Sequence, residues 1–372
     1  MKYIHRLLFS VAATLALPVL AQEAQGSAAQ MDVTLSALER RQIVDDLIRE
    51  INTSYVFPDL AVKVEAALRS HQGSGSYDKI SSARALSAAV TRDLLAVTND
   101  KHLKLRYSES AIPLPGPTRA PSADELARQL AYRQAENFGV ERVERLPGNI
   151  GYLALNQFAN LKQAADTLAA AMTLVAHTSA LIIDLRNNGG GDPASMTFLT
   201  SYLLDRRTHI SDLQPRQRDL TEQFWSLDTV PGLRYGEKKP VYVLTSSDTF
   251  SAAEGFTYAL QSLKRVTVVG ETTRGGAHPG RFIRLAAHFS VFVPRSRAVD
   301  PRTKGNWEGV GVQPDVNVPA AGALETAQLE ILNTLADSEP DSVRKAAIQS
   351  RIASIAKLAG QAASAAHPQE VR

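Results

Sequence analysis

The run Ala180-Leu181-Ile182-Ile183-Asp184-Leu185 constrains the fold more than any other stretch, because all but one of its residues are apolar and it leaves no face for water. So short a run reads as a strand buried on both faces, which requires a sheet covered by a layer on each side. Around it, apolar stretches alternate with helical patterns. Strands are expected at 151–155, 180–185, 241–244 and 266–269, and helices at 161–177, 195–204 and 251–263. That alternation predicts an α/β core with parallel pairing. Residues 282–284 and 289–293 read as a later antiparallel pair, and 103–107 alternates as a strand does.

The flanks are helical. Ser36-Ala37-Leu38-Glu39 fits a capping box, and Ile43, Val44, Leu47, Ile48 and Ile51 then recur at helical spacing. Further helices are expected at 59–68 and 82–97, so residues 32–98 read as a small helical bundle packed on a core at 99–335. Within the core, 108–148 begins with a Pro-rich stretch and is expected to form a flap, with a helix at 123–136. Residues 336–372 read as an Ala-rich helix and tail.

At the start, a basic hexapeptide precedes the apolar stretch Leu7 to Leu20, with a cleavage site after Ala21. The run of about 14 residues is shorter than the roughly 20 that span a bilayer, so 1–21 reads as a secretory signal peptide and 22–31 as a linker. Export to a periplasm or the exterior follows, with no membrane association after cleavage. The net charge of +3 in 372 residues gives no reason to expect a nucleic-acid partner, and the absence of cysteine excludes thiolate chemistry and disulfides.

Two segments carry chemistry. Asp184-Leu185-Arg186-Asn187-Asn188-Gly189-Gly190-Gly191 places three glycines after the buried strand, where backbone N–H groups can turn outward toward an anion. Neither phosphate-loop glycine pattern is present, so nucleotide binding is not expected. Asp184 and Arg186 are expected to pair and fix this loop. In Thr245-Ser246-Ser247-Asp248-Thr249-Phe250-Ser251-Ala252-Ala253-Glu254, Ser251 stands where a strand turns into a helix. It is either a nucleophile or a helix cap, and Ser246 and Ser247 are competitors nearer the strand end. Of the histidines, His102 sits in a turn at the entry to a strand and is either a base or a surface residue. His278 and His288 lack neighbours of ligand type in the sequence, and no metal or organic cofactor is expected.

These two segments, with Val269-Gly270-Glu271-Thr272-Thr273-Arg274-Gly275-Gly276 and Gly309-Val310-Gly311-Val312-Gln313-Pro314-Asp315, resemble in order and spacing the tail-specific, C-terminal processing serine proteases. The likeness is to the branch with the interphotoreceptor retinoid-binding protein repeats and the tricorn protease core, over about residues 32–335. It implies a crotonase/Clp-protease-like core of stacked strand-strand-helix units with a small N-terminal three-helix domain. Tail-specific proteases use a Ser-Lys dyad, but here the corresponding position is Arg274, which cannot act as a base. The tricorn-like arrangement implies instead Ser251 as nucleophile, His102 as base and Glu308 as its orienter. It also implies an oxyanion hole from Gly189 or Gly190 with Ala252. Glu254, one helical turn beyond Ser251, reads either as a plain helix residue or as a support behind the serine. Residues 108–148 are too short to hold a PDZ domain. The implied function is an exported serine peptidase acting on peptides or unfolded proteins, with activity falling as pH drops through 6 to 7. The alternatives are a non-catalytic binder of apolar, retinoid- or fatty-acid-like ligands, and a docking module.

Overall fold

The structure is a computed structural model that describes residues 32–114, 122–216 and 221–366, with side chains to 357. The expected signal peptide, the linker and most of the Pro-rich stretch lie outside the described residues. The chain begins with three helices, α1 (Ala37–Ser54), α2 (Pro58–Gly73) and α3 (Ala83–Thr98), followed by β1 (Lys104–Tyr107), α4 (Ala123–Ala135), β2 (Val140–Leu146) and β3 (Ile150–Leu155). Then come α5 (Leu161–Val175), β4 (Ala180–Asp184), α6 (Pro193–Tyr202), β5 (His209–Pro215), β6 (Glu222–Trp225), β7 (Val241–Thr245) and α7 (Ala252–Ser262). The remainder is β8 (Thr267–Gly270), β9 (Gly280–Ala286), β10 (Phe289–Pro294), β11 (Ser296–Val299), β12 (Val316–Asn317), α8 (Ala323–Ser338) and α9 (Ser342–Ala366).

The expected α/β core is a six-stranded mixed sheet in the order β12-β8-β7-β4-β3-β2. It is parallel except for β2, which runs antiparallel to β3 at one edge. Both faces are covered, as the apolar run at β4 demands. Leu181 and Ile183 point into one cluster with residues of α5, α6 and α7, while Ala180 and Ile182 point into another with α8 and α9. The period-two alternation of a strand thus serves two cores at once.

The N-terminal bundle makes its own cluster. Its helices bury Leu47, Ile51, Leu68, Leu86 and Leu94 against Leu105 of β1 and Phe289, Val291 and Val293 of β10. The predicted capping box is formed: Ser36 N–H donates to Glu39 at 2.8 Å and Glu39 N–H donates to Ser36 Oγ at 3.2 Å. Strands β1, β10 and β9 form a three-stranded sheet, with the expected antiparallel pairing of β9 and β10. A third sheet has the order β11-β5-β6.

The segment expected to form a flap is divided. Val140–Leu146 is an edge strand of the central sheet, whereas α4 has no buried residue. Among the described residues, no helix is long and apolar enough to cross a membrane.

Parallel neighbours β4 and β7 end side by side, with Asp184 opposite Leu244. Their following loops, the glycine loop and the Ser251 turn, therefore emerge together beyond the carboxyl ends of the strands. Ile183 lies fully buried in this central pair. Ile183→Ala is expected to lower stability by about 2–5 kcal/mol, measured as a lower urea midpoint at unchanged slope.

Candidate active site

Ser251 has φ 57° and ψ −119°, in the left-handed half of backbone space that a non-glycine residue rarely adopts. It is the last residue before α7, so the backbone reverses sharply from the strand side into the helix. A residue strained in this way persists only where surrounding contacts over-determine it. Those contacts are present. Phe250 N–H donates to Asn188 O at 3.0 Å, and Ser251 N–H donates to Glu254 Oε2 at 2.8 Å.

Glu254 is fully buried and serves more than its own helix. Its Oε2 also accepts Gly276 N–H at 2.9 Å, and its Oε1 accepts Gly275 N–H at 2.6 Å and Thr273 Oγ1–H at 2.5 Å. Burial pushes its pKa up, and the hydrogen bonds from Thr273, Gly276, Gly275 and Ser251 act against that. One carboxylate thereby ties the serine turn to the segment 273–276.

The glycine loop fits against the same turn. Gly190 has φ 102°, and a Cβ there would sit 2.7 Å from Ser251 Cβ and 2.8 Å from Phe250 O. Only glycine leaves that space. The Gly190 N–H is not turned toward the cleft, however: it donates to Asn188 Oδ1 at 2.8 Å. This corrects the expectation that Gly190 can supply an oxyanion donor. Asparagine commonly closes such a local turn on the amide two residues ahead. The N–H groups of Gly189 and Ala252 have no hydrogen-bond partner among the described residues. Ala252 stands at the N-terminal end of α7, where the helix leaves donors unpaired.

Asp184 and Arg186 pair as expected, with Nη2 to Oδ2 at 2.6 Å, and Arg186 also donates to Ala320 O at 2.7 Å. Ser246 and Ser247 sit before the turn, and Ser246 Oγ donates to Arg186 O at 2.5 Å. The Ser246 hydroxyl is thus engaged with the backbone beneath the glycine loop. Arg274, in place of a lysine, pairs with Asp248 at 2.5 Å and lies over the Phe250 ring at 5.5 Å.

His102 lines the same cleft as Ser251, Gly189, Gly190 and Ala252, a concavity of about 960 Å³. Its ring lies against Phe250 at 4.3 Å between centroids and is stacked on Phe292 at 5.5 Å. Its backbone N–H donates to Asp100 Oδ1 at 3.0 Å. Burial lowers its pKa to about 4, opposed by Asp100 and reinforced by the His278, Lys104 and Arg106 charges. The ring is therefore neutral, and able to accept a proton, well below the expected range of 6 to 7. Its Nδ1 is buried and has no hydrogen-bond partner.

Glu308 is not bonded to His102. Its Oε2 accepts Ala277 N–H at 2.5 Å and lies 3.3 Å from His278 Nδ1, which is also 3.3 Å from Asp100 Oδ2. Tyr55 O–H donates to the same Asp100 oxygen at 3.1 Å. The expectation that His278 lacks ligand-type neighbours is thus overturned: Asp100, His278 and Glu308 bring ligand atoms within 4.8 Å of one another. Sequence reasoning missed this because Asp100 and His278 stand 178 residues apart. The trio has ligand types that suit a divalent cation, and within it His278 Nδ1 stands between one oxygen of each carboxylate. Burial raises the Glu308 pKa to about 7, with the Asp100 charge acting in the same direction and His278 opposing it. Its Oε1 is a second buried atom with no partner.

One segment links the two unpartnered atoms. A Cβ on Gly276 would meet His102 Cε1 at 2.7 Å, and the next residue, Ala277, holds Glu308 by its N–H. Trp307 Nε1–H donates to Gly276 O at 2.8 Å and fixes the link.

The structure thus places a strained serine at a strand-to-helix turn, beside a glycine loop and in one cleft with a histidine. Two family models match the sequence: Peptidase family S41 over residues 149–318, and the N-terminal domain of Peptidase S41 in eukaryotic IRBP over residues 28–137. The chain belongs to peptidase family S41. It is 26% identical over 179 residues to the carboxy-terminal-processing protease of Bartonella bacilliformis, a match covering 47% of this chain and 40% of that protein. It is 28% identical over 185 residues to the chloroplastic carboxyl-terminal-processing peptidase 2 of Arabidopsis thaliana, covering 48% of this chain and 35% of that one. The chain thus spans less than half the length of each. Among solved structures, a putative peptidase from Parabacteroides merdae superposes with a TM-score of 0.54 at 19% identity, covering 81% of this chain and 99% of that chain. Mature CPAF gives 0.54 at 13% identity, over 80% and 98%. At these identities the likeness is one of fold.

Replacing Glu254 by Gln would keep its volume but turn an N–H₂ group toward backbone N–H donors. Glu254→Gln is expected to cost on the order of 1–3 kcal/mol. Calorimetry should show a lower Tm than that of the unaltered protein.

Proposed function

We propose that the protein is a serine peptidase that cleaves peptides or unfolded proteins through an acyl-enzyme on Ser251. The observation that carries this reading is the backbone of Ser251: φ 57° and ψ −119° at a helix N-terminus, in the cleft that His102 also lines. A helix cap needs no such conformation, since serine caps helices from ordinary extended backbone, as Ser36 does here at φ −71° and ψ 164°.

In this reading Ser251 Oγ attacks the peptide carbonyl carbon while its proton passes to His102 Nε2. The oxyanion forms against the N–H groups of Gly189 and Ala252. His102 then returns the proton to the departing amine, leaving the acyl group on Ser251, and water attacks by the same route in reverse. With Nε2 as acceptor the neutral ring carries its hydrogen on Nδ1, and proton transfer makes the imidazole cationic and strengthens the need of Nδ1–H for an acceptor. Glu308 Oε1 is proposed to meet that need, directly or through one water, so that the two unpartnered buried atoms satisfy each other in the working state. Glu308 keeps its expected place as orienter, through the Ala277 link rather than through a resting hydrogen bond. Helix α4, with Tyr132 and Arg133 in the cleft lining, is proposed to act as a flap. The basic start and apolar run of residues 1–21 support export.

A fluorophosphonate should label the signal-less protein at Ser251, as read by peptide mass mapping, and His102→Ala should slow that labelling sharply. No adduct in a folded protein would contradict the reading and favour ligand binding in the cleft.

The pH dependence follows from two groups. The Glu308 carboxylate stabilises the imidazolium by accepting a hydrogen bond from Nδ1–H, most strongly when ionised, so kcat/KM is expected to rise with pH through about 7. His102 is protonated only near 4, so a residual activity should persist below 7 and vanish around 4. In Glu308→Gln the upper limb should disappear and the plateau fall, leaving the lower limb, as a pH series of kcat/KM would show.

A further inference from the structure

The sheet β1-β10-β9 has two unlike faces. Leu105 and Val291, opposite each other, point into the helical bundle. Lys104 pairs with Phe292, which pairs with Phe282 in turn, so these three side chains share the other face. All three line the cleft. Arg106, two residues on, is on the same face and lies over the Phe282 ring at 4.6 Å.

The cleft is strongly cationic. Its lining includes Lys101, Lys104, Arg106, Arg133 and Arg274, and Glu136 is the acid among these described residues. Most of the cations have work within the protein. Lys101 donates to Arg274 O, Arg133 donates to Gln157 Oε1 at 2.6 Å, and Arg274 pairs with Asp248 at 2.5 Å. Lys104 has neither a hydrogen bond nor an ion pair among the described residues. Its side chain is half-buried, and burial lowers its pKa, with the Arg274, Arg106 and Lys101 charges adding to the effect. An ammonium group partly removed from water and faced by other cations is destabilised until an anion arrives.

Its position says which part of a substrate could bring that anion. Phe292, across the ladder from Lys104, is stacked on the His102 ring. The amine leaving the scissile bond must reach His102 to take back the proton, so the substrate residues that follow the cut pass on this side. We propose that Lys104 selects substrates with a carboxylate just beyond the scissile bond on the leaving-group side, supplied by an Asp or Glu side chain or by a nearby C-terminus. This rests on the peptidase reading of Ser251.

The test uses fluorogenic peptides identical except for Glu or Gln at the first three positions after the cut, each made with a free and with an amidated C-terminus. Unlabelled wild-type protein, from a preparation in which a separate aliquot takes up fluorophosphonate at Ser251, is assayed beside Lys104→Gln and Lys104→Arg. A charge-assisted contact of this kind should favour the acid by about 10- to 100-fold in kcat/KM. That ratio should collapse toward unity in Lys104→Gln and survive in Lys104→Arg. Preference that follows the Glu residue assigns the side chain as the source, and preference lost on amidation assigns the terminus. Equal rates for acid and amide peptides in wild type, or a preference unchanged in Lys104→Gln, would overturn the proposal. Absence of Ser251 labelling would instead overturn the peptidase reading beneath it.

Discussion

The buried carboxylate of Glu254 is the interaction on which the rest of the site depends. Four donors from two segments converge on it: Ser251, Thr273, Gly275 and Gly276. A carboxylate is a good choice for this junction because it offers only acceptors, and every group that faces it is a donor. The arrangement fixes the serine in a conformation it would not adopt alone. It also sets the position of Gly276, against which His102 and Phe250 both pack.

From that junction the site spreads over elements that share little sequence. The central sheet supplies the floor, since β4 and β7 run parallel and end together. The turn that leads into β1 of the small sheet supplies His102, with β10 contributing the Phe292 ring that stacks on it. The loop after β11 supplies Trp307 and Glu308, tied to the segment 276–278. His102 and Ser251 therefore stand beside different hydrophobic cores, next to Leu103 of one and Ala252 of the other, and the fit between the bundle and the central sheet sets how they face each other. Asp100 stands at that seam. It is held by Tyr55 of the bundle, lies near His278, and accepts the His102 backbone N–H.

Much of this was legible in the sequence, because its signals are local. The β4 run forecast a sheet buried on both faces, and the Ser251 turn and the glycine loop announced themselves by apolar strands that stop at polar or glycine residues. What escaped was either non-local or disguised by charge. Strand β2, Val-Glu-Arg-Val-Glu-Arg-Leu, is an edge strand with few buried positions, so its pattern hides an element that tertiary pairing creates. The strands β5 and β6 have only one buried position between them, whereas helix α8 was overlooked although Ala323, Ala327, Ile331, Leu332 and Ala336 recur at helical spacing. Glu254 reads in the sequence as a helix residue or a support for the serine, although its other partners lie about 20 residues on. The Asp100–His278–Glu308 cluster is assembled only in three dimensions. The engagement of the Gly190 N–H by Asn188 was within reach, since an asparagine two residues before a glycine commonly closes such a turn.

The central claim is that Ser251 is an activated nucleophile whose oxyanion is received by the N–H groups of Gly189 and Ala252. A crystal structure of the protein after reaction with a fluorophosphonate tests it most directly. The account predicts density joining phosphorus to Ser251 Oγ, with the phosphoryl oxygen within hydrogen-bond distance of those two N–H groups and His102 beside the adduct. An adduct on another residue, or an unmodified Ser251 with its hydroxyl bonded to the α7 backbone as a simple cap, would contradict it.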